Sequence, residues 1–175
     1  KFTFIVNALV SFWISFTYLN STNVFVNNFL YELNYMLGNR IYLTNKSLQL
    51  YGFGLFGRQV EWTGNGLTTE GVKIYQTYLY VDNLYMQILQ KYGLLILVLM
   101  IILLTLTLFK VIKRRQWVLA FILILMSFHS MIDDLNFYLH NNIFWILVGV
   151  LINSDYQFSD ESDEDQGGRS FEKIV

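Results

Sequence analysis

The sequence predicts an all-α integral membrane protein of about four transmembrane helices, with a large extracytoplasmic loop holding short helices and a β-hairpin. Two observations predict it. Of 175 residues, 54% are hydrophobic, 18% aromatic and only 14% charged, which is too apolar for an ordinary soluble domain of this length. The apolar residues are also gathered into long uncharged runs, with the charge pushed into the connections.

The first run, FTFIVNALVSFWISFTYL, spans residues 2–19 without a charge, close to the lower limit for crossing roughly 30 Å of hydrocarbon. The second is Gly93 to Phe109, and the preceding LYMQILQKY extends it as helix, giving a span over about 85–109. Two shorter runs, 117–131 and 137–152, flank the polar knot IDDLN. The fourth holds His140, Asn141 and Asn142, the composition of a partly broken helix lining a cavity. Residues 1–152 thus form the membrane part, and 153–175 an acidic, disordered cytoplasmic tail. The chain opens at Lys1 inside a spanning run, as the C-terminal part of a longer membrane protein would.

Lys110, Lys113, Arg114 and Arg115 crowd the connection KVIKRRQ between the second and third runs, which places that connection in the cytoplasm. Residues 20–83 and the knot around Asp133 then face outside. In this outer segment Arg40, Lys46, Arg58 and Lys73 balance Glu32, Glu61, Glu70 and Asp82, so its charges are individually placed and create no basic field. FVNNFLYELNYML sets Phe25, Phe29, Leu33 and Met36 on one helical face, suited to lying along the membrane surface. Gly38 and Asn39 stop that helix. IYLTNKSLQLY forms a second short helix. Gly64-Asn65-Gly66, followed by KIYQTYLYV, signals a hairpin.

Net charge is −1 and there is no cysteine, so neither nucleic-acid binding nor a disulfide framework is indicated. The two histidines stand apart, and no metal site is expected. GFGLFG is not a phosphate loop, because no lysine and serine follow at the required spacing.

The succession LNYMLGNRIYL, YGFGLFGR and YVDNLYMQILQKYGLLILVL resembles the C-terminal half of Wzy-type polysaccharide polymerases, relatives of the O-antigen ligases. In that family a motif near "GR" opens the outer loop and a short "lfG" follows. A "DN" or "HN" with an aromatic two residues on then leads into a span beginning "yG". The resemblance covers about Phe2 to Ile152. One departure is Gly38-Asn39-Arg40, where asparagine stands in place of the commoner glycine or serine.

The resemblance implies transfer of a growing glycan from undecaprenyl diphosphate to the sugar of another lipid-linked repeat unit. The reaction runs at the outer face of the bacterial cytoplasmic membrane, in a multi-pass protein, with no cofactor. Membrane lipids, a flippase and a chain-length regulator are the implied partners. The diphosphate leaving group needs cations, and arginine offers a fork matched to phosphate oxygens. Arg40, at the "GR" position, is the first candidate. Arg58, after "LFG", is the second, with Lys46, Lys73 and Asn83 as further substrate contacts.

The acceptor hydroxyl needs a base, and Asp82 matches the position where ligase relatives carry histidine. His129 is the rival base, since an imidazole titrates near ~6.5. Each residue has a plainer reading. The arginines could snorkel toward lipid phosphates, Asp82 could cap the helix starting at Leu84, and His129 could be a polar core contact. Asp133 and Asp134 read as a solvated turn, since neighbours on a helix point apart. A ligase-type transferase and a non-enzymatic transporter or flippase fragment for lipid-linked sugars are the competing functions.

Overall fold

The computed structural model of the chain describes residues 2–64 and 78–135. Among these it forms six helices: α1 (Thr3–Thr17), α2 (Val24–Met36), α3 (Arg40–Tyr51), α4 (Leu84–Lys91), α5 (Leu94–Lys113) and α6 (Trp117–His129). α1 is the hub, packing against α3, α4, α5 and α6; α5 also packs against α4 and α6, and α3 against α4. Phe4 of α1 joins Leu104, Leu108 and Val111 of α5 and Ala120 and Leu123 of α6 in one buried cluster. Ala8, Val81, Leu84, Tyr85, Met86, Ile88, Leu89 and Leu97 form a second. Truncating a fully buried leucine such as Leu108 to alanine costs about 2–5 kcal/mol in a packed core.

Within this apolar bundle, α1 carries a buried polar stripe. Asn7, Ser11 and Ser15 recur at four-residue spacing and therefore share one face. Asn7 Nδ2 donates to Ser127 Oγ at 2.8 Å, and Tyr85 Oη meets the same hydroxyl at 2.9 Å. Such bonds fix how apolar helices register, where packing alone discriminates weakly.

Only α5 is long and apolar enough to cross a membrane among the described residues. Its 20 residues reach about 30 Å at 1.5 Å per residue, and only 33% of its apolar window is buried in the bundle. This corrects the four-helix expectation. α1 has 15 residues and α6 has 13, and both fall short of that thickness, at roughly 20 Å. The uncharged runs outlast the helices. Tyr18 leaves helical geometry at ψ 125° and Leu19 turns to φ 62°, while α6 ends at His129 in a turn. The second span also differs, because the LYMQILQK prefix is a separate helix folded back at Tyr92 and Gly93. The run 137–152 and the tail lie outside the described residues.

The short helices of the outer segment form as expected, and α2 divides its apolar residues, with Leu33 packed inward beside Leu30. Leu30 and Asn34 are buried, whereas Phe25 (79% exposed), Phe29 and Met36 point outward. Of the hairpin, the described residues show one antiparallel bridge, Thr63 with Leu79, and no named strand. The turn Gly64-Asn65-Gly66 lies mostly outside them.

Candidate functional site

α2 and α3 meet in a turn at two consecutive left-handed residues, Gly38 (φ 62°) and Asn39 (φ 67°). Asparagine is the side-chain-bearing residue that enters this region most readily. The turn needs a left-handed conformer, and asparagine supplies one here. Asn39 makes no cap bond to α3 from its own side chain. Buried Asn34 of α2 supplies one, its Oδ1 accepting from Tyr42 N at 2.8 Å while its Nδ2 donates to Asn39 Oδ1 at 3.0 Å. The first residue of α3, Arg40, is thereby held at a defined place.

Arg40 reaches across to two other segments. Its Nε stands 3.5 Å from Asp82 Oδ2, in the strand of chain entering α4, and its Nη1 stands 3.8 Å from Asp133 Oδ2, in the turn after α6. Nη1 also donates to the Ile132 carbonyl. Side-chain exposures are 39% for Arg40, 19% for Asp82 and 24% for Asp133, so the guanidinium is accessible while its carboxylates are partly sunk. Asp133 Oδ1 is tied to its own turn, accepting from Leu135 N at 2.9 Å. The three charges line an open cleft of about 640 Å³, with Tyr78 beside them and Leu37, Leu43 and Ile132 as apolar wall.

Burial pushes the Asp82 carboxyl above its ordinary value; the Arg40 charge pulls it down, and Asp134 and Asp133 push it up again. The net shift is upward, so desolvation and like charge outweigh the ion pair. The Tyr78 phenol is likewise raised, chiefly by burial.

Asp134 turns the other way. It is buried, and its Oδ2 accepts from Tyr80 Oη at 2.5 Å and from Gln87 Nε2 at 2.7 Å. The two neighbours do point apart: Asp133 keeps to its partly exposed turn, while Asp134 is buried. Asp82 does not cap α4. That is the work of Asn83, whose Oδ1 accepts from Met86 N at 3.1 Å and whose Nδ2 donates to the Met131 carbonyl at 2.7 Å.

The remaining candidates are elsewhere. Arg58 donates to the Tyr51 carbonyl at 3.0 Å, closing the C-terminal end of α3, where a cation is favoured. Lys46, on α3, and His129, exposed at the end of α6, do not line the cleft. Lys73 lies outside the described residues. Asp133 and Tyr78 were not distinguishable as site residues from sequence, since only tertiary proximity to Arg40 marks them.

Arg40, Asp82 and Asp133 lie far from the basic connection. α6 starts beside that connection at Trp117 and runs to His129, carrying the turn that follows it roughly 20 Å away.

No protein-family model matches the chain, and no characterised protein or solved structure matches it. The described residues define a helical bundle with one membrane-length helix among them and a charged cleft at the end remote from the basic turn.

Proposed function

We propose that the chain carries the active-site half of a Wzy-type polysaccharide polymerase, acting on undecaprenyl diphosphate-linked glycan at the outer face of the bacterial cytoplasmic membrane. One observation carries the reading: Arg40 and Asp82 stand side by side at an open cleft, the carboxyl pushed upward by burial. The distance of the cleft from the lysine- and arginine-rich turn supports the outward orientation.

Asp82 takes the proton of the acceptor hydroxyl as its oxygen bonds to the anomeric carbon. The bond from that carbon to the diphosphate oxygen breaks, and its electron pair leaves with the diphosphate. Two carboxylates against one guanidinium leave the resting cluster net negative, which is the wrong sign for an anion. Protonation of Asp82 corrects this at the moment it matters, because Arg40 loses one of its carboxylates and can turn its fork to the developing charge. Asp133 keeps the guanidinium near the cleft meanwhile.

The test is glycan length and rate in membranes holding the complete protein at matched abundance. Asp82→Asn lowers polymerisation by about 10²-fold or more, and Arg40→Lys loses most activity despite keeping its charge. Asp82→Asn within a factor of two of wild type sinks the base assignment. Movement of lipid-linked sugar with no new glycosidic bond, by the wild-type protein, favours the transporter reading instead.

A further inference from the structure

A second, smaller cavity of about 60 Å³ adjoins the inner side of Arg40, lined on α1 by Ser11, Ile14 and Ser15, and beyond by Thr44, Asn83 and Met131. It shares Leu37, Arg40 and Ile132 with the open cleft. Those residues are the partition between the two spaces.

Ser11 is 2% exposed, and its Oγ is buried without a hydrogen-bond partner. An orphaned hydroxyl at such a depth costs about 1–3 kcal/mol, and a serine that merely filled space would be improved by alanine. The cavity has room for a water, which needs about 10–15 Å³ of this kind of volume and two to four polar partners. Ser11 brings an unsatisfied hydroxyl to this lining, and Ser15, Arg40, Thr44 and Asn83 are the other polar residues around it. The apolar cavity between α1, α4 and α5, lined by residues such as Leu89, Leu97 and Ile101, has no such partners. We infer that the small cavity is a binding site for structural water, which joins Ser11 of α1 to Arg40 and supports the arginine from behind.

This does not depend on the polymerase reading, since hydration is measured without any glycan substrate. Oxygen from the site's own water is the probe, generated as hydroxyl radical by X-ray radiolysis of the full chain and read by mass spectrometry. Met131 lines the hydrated cavity, and Met86 lines the dry one. Oxidation at Met131 falls at least threefold when Ser11→Val fills the cavity, while Met86 is unchanged. Ser11→Ala, which leaves room for water but removes its anchor, lowers the melting temperature by about 4 °C or more. A Met131 rate indifferent to Ser11→Val overturns the inference, and so does a Ser11→Ala variant as stable as wild type or more so. Should the valine variant fail to fold, the alanine variant decides alone.

Discussion

The backbones of Gly57 and Gly93 are pressed together: a Cβ on Gly93 would stand 2.2 Å from Gly57 N, and one on Gly57 would stand 2.2 Å from the Lys91 carbonyl oxygen. Both residues have positive φ, 80° and 92°. The contact locks the GFGLFG loop onto the break between α4 and α5, with Arg58 N donating to the Gln90 carbonyl at 2.9 Å. The sequence pieces "LFG" and "YG" are therefore two halves of one joint.

Alanine at either position should be severely destabilising, by more than about 3 kcal/mol, because backbone must move and a left-handed conformer is strained. Gly54→Ala is the control, as its Cβ would meet nothing nearer than 3.7 Å. Thermal unfolding of the three variants checks this. Equal losses at Gly54 and Gly93 would contradict the joint.

Asp82 links stability to pH. Its carboxyl ordinarily titrates near 3.8 and is raised in the fold, so over the interval between those values the native state holds more proton than the unfolded chain. Stability then falls as pH rises from about 3.8 through the raised value, and is level above it. Asp82→Asn should remove that fall and melt higher than wild type at pH 7, even as activity drops. A variant less stable at pH 7 would mean that the Arg40 pair outweighs burial.

Asn34→Ala should cost about 1–2 kcal/mol, as it removes the cap of α3 and the brace on Asn39 together. Asn39→Gly should cost less than Asn34→Ala, since glycine reaches the same φ without strain and only the bond from Asn34 Nδ2 is lost. Urea denaturation of both variants distinguishes a clamp at Asn34 from simple burial.

Orientation is open to direct labelling, because the chain has no cysteine. A cysteine at Tyr35, which is exposed on α2, should react with an impermeant thiol reagent from outside. One at Gln116 should react after permeabilisation only. The opposite pattern would put the cleft on the cytoplasmic side.

Sequence made some of this legible and hid the rest for identifiable reasons. α5 was readable because an unbroken apolar run is a local property, and so was the stop at Gly38 and Asn39. Counting uncharged residues overestimated α1 and α6, because a run can stay apolar after its backbone has left the helix, as at Tyr18 and Leu19. The bent-back α4 was missed for a similar reason: Gly93 breaks the helix through a distant contact with Leu55 and Gly57. Arg40 and Asp82 were each singled out, but their pairing, and the part of Asp133, depend on three remote segments converging. The same limit hid the polar stripe Asn7, Ser11 and Ser15, because the partner of Asn7, Ser127, lies on α6.

The joint at Gly57 and Gly93 has an electrical consequence. Leu94 N donates to the Gly54 carbonyl at 2.9 Å and Leu95 N to the Leu55 carbonyl at 3.1 Å. The amides that make a helix N-terminus a natural seat for phosphate are thus already engaged, and the positive pole of the longest helix faces a collar of carbonyl oxygens. Under the proposed function, an anion at this end of the bundle would have to be held by the ionisable side chains around Arg40. A peptide dipole is permanent, whereas a guanidinium shared between carboxylates is gated by a single proton, so affinity for a negative group here becomes a function of the protonation state of Asp82.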